Sequence, residues 1–242
     1  MHRAYVEPSF LDSAQTGQNF ELDPESYKRF VRVLRLKDGT PVELFDGTGR
    51  VVTGVLHQSF LTQIKIAHIK PKGPHITLYQ AMVSMDKLEQ ITQHATELGV
   101  SEIILFKAER SQIDFKDKIA SKLERLTRIA RDASRQCGRA DVPNLTLHLR
   151  QGFGGQVNPF KSDHLFVCVP NSKNSLLRLF PSPVAGEGLG VRFLIGPEGG
   201  FSPAEITQFK AQGALEISLA PYVLRTETAS LAALAQIQGA FL

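Results

Sequence analysis

The chain has 242 residues, 42% of them hydrophobic, enough to fill the core of one large domain or of two small ones. Two cysteines, Cys137 and Cys168, and no Cys/His spacing that suits zinc argue against a disulfide framework and a metal site. The formal net charge of +4 suits an anionic partner without requiring one.

No apolar run approaches membrane-spanning length, and the first residues, MHRAYVEPSF, lack the apolar region of a signal peptide. A soluble, cytoplasmic protein with no membrane and no metal is expected.

Residues 1–70 predict a β-rich first part. Arg3 to Glu7 reads as a strand, and Asp23-Pro24 opens a short helix with Tyr27, Val31 and Leu34 on its apolar side. Val42 to Phe45 and Val51 to Leu56 flank the turn-rich Asp46-Gly47-Thr48-Gly49, and Phe60 to Ile69 alternates again. Several short strands and one helix suggest a small barrel. Pro71-Lys72-Gly73-Pro74 reads as a linker, dividing a first domain, 1–72, from a second, 73–242.

From Ile76 the pattern becomes strands alternating with helices. Strands are expected over Ile76 to Val83, Glu102 to Phe106, Leu165 to Val169, Val191 to Ile195 and Leu215 to Leu219. Between them, Ser84 can cap a helix with Leu88, Ile91, Ala95 and Leu98 on one side, closed by Gly99. Further helices fall at Asp117 to Cys137, Pro203 to Gln212 and about Glu227 to Gly239; Gln151 to Gln156 and Pro181 to Gly190 read as loops. Such alternation implies an α/β fold with a mostly parallel sheet covered on both faces.

Three stretches carry candidate chemistry. In VRFLIGPEGGFSPAE a strand breaks at Gly196-Pro197, and Glu198 stands alone before Gly199-Gly200. Ser202, Pro203 and Glu205 then open a helix as N-cap, first residue and capping-box acid. Loops at carboxyl ends of α/β strands hold ligands, and glycines let backbone come close to them. An ordinary turn also wants flexible residues, but three glycines, a proline and a lone acid exceed that need.

The second stretch, LAPYVLRTETA, follows the last strand. Thr226 and Thr228 read first as helix caps, and Glu227 suits the positive end of the helix dipole. Arg225 needs a partner: Glu198, Glu227 or an anionic substrate.

The third is the long helix, where Arg125, Arg128, Arg131, Arg135 and Arg139 share one face and Leu126, Ile129, Ala130 and Ala133 another. Arginine suits bidentate phosphate contact, while a solvated charged face is the alternative. Lys28, Arg29, Arg32 and Arg35 form a second basic cluster, and Arg3 sits at the first strand. No dinucleotide fingerprint, phosphate loop or nucleophile elbow is present.

LIGPEGG together with LAPYVLRTETA, in a chain that also carries HRAYV, FVRVLRLKDG…ELFDGTG, ATELGV, AERS and QCGR, closely resembles the RsmE family, SPOUT-class methyltransferases of 16S rRNA uridine N3. The similarity runs over nearly the whole chain. It departs from the family pattern at Met85, His94, Leu105 and Arg135.

The resemblance implies an N-terminal PUA-like, RNA-binding β-barrel and a C-terminal SPOUT domain with a trefoil knot. It implies a homodimer that binds 16S rRNA within the small ribosomal subunit. S-adenosyl-L-methionine would lie against Leu194, Ile195, Gly196, Pro197, Glu198, Gly199 and Gly200 from one loop. Leu219, Ala220, Val223, Leu224, Thr226, Thr228 and Ala229 would meet it from the other. Arg225 would stabilise charge developing on the uracil, and Glu198 is a candidate base by location. Arg3, Arg32, Arg35, Arg128, Arg135 and Arg139 are the candidate RNA contacts. The competing readings are a SPOUT methyltransferase acting on tRNA and a non-catalytic RNA-binding or ribosome-assembly paralogue. The last helix adds a reason to expect a partner subunit, because Leu231, Leu234, Ile237, Ala240 and Phe241 cannot all face one core.

Overall fold

The computed structural model describes residues 1–113, 118–148, 164–179 and 190–241. The loops expected at Gln151 to Gln156 and from Pro181, and a helix start at Asp117, lie outside the described residues. Met1–Pro71 with Arg131–Val142 form one compact unit, and Lys72–Ala130 with Pro143–Leu242 form another.

In the first unit, β1 (His2–Tyr5), β2 (Phe20–Glu21), β3 (Pro41–Phe45), β4 (Arg50–His57) and β5 (Phe60–His68) make one sheet in the order β1-β3-β4-β5-β2. β1 runs parallel to β3 and the other pairings are antiparallel. The turn between β3 and β4 is held by Asp46, whose Oδ1 accepts from the Thr48 amide at 2.9 Å and its hydroxyl at 2.8 Å. Gly49 has φ +99°, and a Cβ there would lie 2.7 Å from the Ile69 carbonyl, so glycine is required.

Asp23 caps α1 (Pro24–Tyr27) by accepting from the amides of Glu25 and Ser26. The chain then widens into a π-helical turn, Lys28–Val33, with the Leu34 amide donating to the Arg29 carbonyl at 2.9 Å. The wider turn rotates the apolar face. Phe30 becomes fully buried with Tyr27 and Val31 against the same core, whereas Leu34, expected there by α-helical spacing, is turned out and 37% exposed.

Arg131–Val142 completes this unit. The Gly49 amide donates to the Ala140 carbonyl and the Val142 amide to the Gly47 carbonyl. Arg3 binds Glu43, donates to the carbonyls of Ser134 (3.2 Å) and Arg139 (2.9 Å), and stacks 4.6 Å over Phe45.

The second unit is a six-stranded, wholly parallel sheet: β6 (His75–Ala81), β7 (Glu102–Phe106), β8 (Asn144–His148), β9 (His164–Cys168), β10 (Gly190–Ile195) and β11 (Leu215–Ile217), in the order β11-β9-β10-β6-β7-β8. Strand alternation sends Ile103 and Leu105 to one face and Ile104 and Phe106 to the other.

The first face packs on α2 (Met85–Glu97), α3 (Ile119–Cys137), α4 (Leu176–Leu179) and α6 (Thr226–Gly239) through Leu88, Ile91, Leu126, Leu176, Leu234 and Ile237. The second packs on α5 (Pro203–Ala211) through Phe209. The apolarity of α6 is spent here: Ala233, Leu234 and Ile237 are fully buried and Phe241 packs on the same cluster. Leu231 and Ala240, by contrast, stay partly exposed outside that cluster. No helix among the described residues is long and apolar enough to cross a membrane.

Candidate functional site

β10 delivers the chain into the glycine loop, which folds as a turn: the Gly200 amide donates to the Pro197 carbonyl at 2.9 Å, with Gly200 at φ +66°. The far side of the turn is fixed by the start of α5. Ser202 Oγ accepts from the Glu205 amide at 3.2 Å, while Glu205 Oε2 accepts from the Ser202 amide at 2.8 Å, a complete capping box. Glu205 Oε1 also accepts from the Glu109 amide at 2.8 Å, tying the segment after β7 to this loop. Phe201 anchors the turn against Phe106 and Phe209.

The opposite wall is the segment between β11 and α6. The Leu219 carbonyl accepts from Gln236 Nε2 at 2.8 Å, and the Ala220 carbonyl from Ser218 Oγ at 3.0 Å. Thr226 crosses between the walls, its hydroxyl 2.7 Å from the Gly196 carbonyl. That corrects the reading of Thr226 and Thr228 as caps: Arg225 is the N-cap residue and no side chain caps α6. The Thr226 hydroxyl is taken by the glycine loop instead.

Between the walls lies a cavity of about 660 Å³, within the size range of small-molecule sites. Ile195, Gly196, Pro197, Glu198, Gly199 and Gly200 line it from one side, and Leu219, Ala220, Val223, Leu224, Arg225, Thr226 and Ala229 from the other. Leu194 and Thr228 are not part of the lining. Leu194 is fully buried in the core on the α5 face of the sheet, and Thr228 is exposed on α6. Cys168 also faces the cavity; burial pushes its thiol up, so it presents a neutral surface.

Lys87, Arg110 and Tyr222 line the cavity too, and sequence reasoning passes over all three. Lys87 Nζ lies 2.7 Å from Glu198 Oε1 and 3.9 Å from Glu227 Oε2. Lys87 thus takes the two acids considered as partners for Arg225. Among the described residues no carboxylate lies within ion-pair distance of Arg225, which is exposed at the cavity. The sequence does hold a clue: a lysine in the first turn of a helix opposes the helix dipole and so calls for an acid nearby.

Burial works to raise the Glu198 pKa. The Lys87 hydrogen bond, the residue's own backbone amide and the Lys87 charge outweigh it and hold the carboxyl below the usual value. Arg110 Nη1 donates to the Gly199 carbonyl at 3.0 Å, and a Cβ on Gly199 would lie 3.3 Å from Arg110 Cβ.

The candidate RNA residues fall into two groups. Arg32 and Arg35 are exposed on the π-helical turn and after it, and Arg128 is exposed on α3. Arg135 pairs with Asp132 at 3.1 Å. Burial, then the nearby Arg135 charge, lowers the pKa of Arg29, which marks a concentration of positive charge in the first unit.

Arg3 and Arg139 are held by partners within the first unit. Arg3 is held almost out of solvent by Glu43 and two carbonyls, and Arg139 lies beyond the end of α3, paired with Asp141. Of the others on the expected face, Arg125 pairs with Glu89 at 2.7 Å, and Arg131 pairs with Glu7 and stacks 4.2 Å over Tyr5. Among the described residues no group of three or more His, Cys, Asp or Glu side chains could hold a metal ion.

Comparison with known proteins is consistent along the whole chain. Residues 70–238 match the family model for an RNA methyltransferase domain. Ribosomal RNA small subunit methyltransferase E of Bacillus subtilis is 38% identical over 248 aligned residues, covering 98% of this chain and 96% of that protein. The protein of that name from Buchnera aphidicola subsp. Acyrthosiphon pisum is 27% identical, covering 99% of this chain and 93% of its own. The crystal structure of a ribosomal RNA small subunit methyltransferase E from Neisseria gonorrhoeae bound to S-adenosyl methionine is similar with a TM-score of 0.78 at 26% identity, covering 99% of this chain and 97% of that one.

Proposed function

The chain belongs to the ribosomal RNA small subunit methyltransferase E family, and from that membership we propose that it methylates N3 of a specific uridine in 16S rRNA with S-adenosyl-L-methionine as donor. The observation that carries the reading is the cavity itself, in which the glycine loop and the segment before α6 face one another with Arg225 at the wall.

The residues fit the cofactor. A side chain at Gly199 would crowd Arg110, and the turn at Gly200 keeps backbone polar groups near the cavity. Apolar Ile195, Leu219, Val223 and Leu224 would hold the adenosine part, and backbone groups of Gly196 to Gly200 its polar edges. When bound, the cofactor supplies an electrophilic methyl group. The protein's own part is position and electrostatics.

Arg225, with no acid beside it among the described residues, is suited to stabilise negative charge on the uracil carbonyl oxygens as the N3 proton leaves. Glu198 is not suited to take that proton. A carboxylate whose pKa is held down by Lys87 is a weak base, so its role is to fix the loop. A paired uridine hides N3, so the target must be unpaired or extruded.

The finer architecture belongs to the same proposal. The glycine loop and residues 219–229 form the core of a trefoil knot in a SPOUT domain, and the first unit is a PUA-like barrel that binds RNA. The active form is a cytoplasmic homodimer acting on rRNA within the small subunit. Arg32, Arg35, Arg128 and Arg135 are the RNA contacts in this reading.

The test is nucleoside mass spectrometry of 16S rRNA and tRNA from cells with and without the gene, paired with methyl transfer in vitro to small subunits from the deletion strain. Loss of 3-methyluridine from 16S rRNA alone, restored by the protein, is the expected result. Loss from tRNA, or from neither, would overturn it.

A further inference from the structure

Gln80 lies near the carboxyl end of β6, well inside the sheet, and its side chain is fully buried. An apolar side chain would fill that place more cheaply, since a buried amide is costly unless its polar atoms are bonded. Gln80 Nε2 lies 2.9 Å from the Ala81 carbonyl and 3.0 Å from Thr226 Oγ1. Gln80 Oε1 lies 2.6 Å from Ser230 Oγ, which is also 2.9 Å from the Thr226 carbonyl.

These contacts have one consistent direction. A carbonyl can only accept, so the amide nitrogen must face Ala81, which turns the same NH2 group to Thr226 and the amide oxygen to Ser230. Thr226 has a single hydroxyl proton. With Gln80 donating to its oxygen, that proton goes to the Gly196 carbonyl, 2.7 Å away. The result is a chain of donors, Gln80 to Thr226 to Gly196, linking the central sheet, the start of α6 and the start of the glycine loop. Gly196 and Thr226 both line the cavity.

We propose that Gln80 is a positioning residue for the cofactor: by aiming the Thr226 hydroxyl at Gly196 it sets the spacing of the two cavity walls, and so the affinity for S-adenosylmethionine. This rests on the cofactor reading above. It adds a residue that touches neither cofactor nor RNA and acts only through Thr226.

The experiment is a double-mutant cycle on S-adenosylmethionine binding, by calorimetry on the full chain, with thermal unfolding of each variant alongside. In Gln80→Met no amide donates to the Thr226 oxygen, so its hydroxyl is no longer held on the Gly196 carbonyl. Thr226→Val removes the link outright. Each is expected to weaken binding about tenfold, the scale of a hydrogen bond whose partner is left buried. The double variant is expected to lose about tenfold as well, not a hundredfold, because both changes break one link.

Ser230→Ala leaves that link intact. It should lower the melting temperature while keeping Kd within about twofold. If Gln80→Met does not fold, Gln80→Leu replaces it in the cycle. Multiplicative losses, or a Ser230→Ala variant that binds as weakly as the others, overturn the proposal. Failure of the unaltered chain to bind S-adenosylmethionine overturns the cofactor reading itself.

Discussion

Lys87 Nζ sits 2.7 Å from Glu198 Oε1, so the first turn of α2 neutralises the one acid of the glycine loop. The pair is partly exposed, 29% and 42% for the two side chains, so Lys87→Ala should cost less than about 1 kcal/mol at pH 7. Its pH dependence is the sharper readout. Glu198 has a folded pKa below its ordinary 4.5, so the pair adds stability above that value and loses it as pH falls below it. Urea unfolding of the two proteins should differ at pH 7 and converge in acid, once Glu198 is protonated in the folded chain. A difference that persists in acid would mean Lys87 acts through packing.

Gly199 and Gly200 are constrained differently. At Gly199 a Cβ would press on Arg110, so Gly199→Val should weaken S-adenosylmethionine binding at least about tenfold in calorimetry, with far-ultraviolet circular dichroism unchanged. At Gly200 there is open space but φ is +66°, so Gly200→Ala should destabilise by about 1–2 kcal/mol through backbone strain alone. Unaltered affinity in the first variant would remove the loop from the binding site.

Arg3 belongs to the scaffold. Its side chain and that of Glu43 are 10% and 11% exposed, and removing one partner of a buried pair leaves the other uncompensated. Arg3→Ala should cost about 3 kcal/mol or more in urea unfolding. A stable variant with weakened RNA binding would return Arg3 to the group of RNA-binding residues.

RNA binding is tested by salt dependence. Removing one phosphate-binding arginine flattens the log–log slope by about 0.7 to 0.9. Arg128→Ala with Arg135→Ala should flatten it and weaken binding to a 16S rRNA fragment without changing cofactor affinity. An unchanged slope would make that face of α3 a solvated surface.

Assembly is tested by mixing two inactive variants, Arg225→Ala and the Arg128/Arg135 double alanine. If one subunit presents RNA to the cavity of the other, mixed dimers regain one intact site and part of the methyl transfer. No recovery after subunit exchange, verified by native mass spectrometry, would place each site within a single chain.

What can be read from sequence is local. The capping box at Ser202 and Glu205 and the loop at Gly196 to Gly200 follow from residues that meet within one turn, and both form as expected. Lys87 and Arg110 escape a sequence reading because each reaches the cavity through the fold: Lys87 and Glu198 are 111 positions apart. β8 escapes it because it is an edge strand whose Leu145 and Leu147 are only half-buried, leaving little hydrophobic signal. Leu34 is misplaced because a π-helical turn does not keep the α-helical period. Thr226 reads as a cap because a threonine at a helix start usually is one; nothing nearby in sequence shows a distant glutamine aiming its proton elsewhere.

The donation of Arg131–Val142 to the first unit has a consequence for biosynthesis. As the chain leaves the ribosome, the first 71 residues emerge with Arg3 lacking the carbonyls of Ser134 and Arg139, and the Gly49 amide lacking Ala140. That unit is complete only once Val142 has been translated. A gene fragment ending at the linker should therefore yield an incomplete, aggregation-prone product.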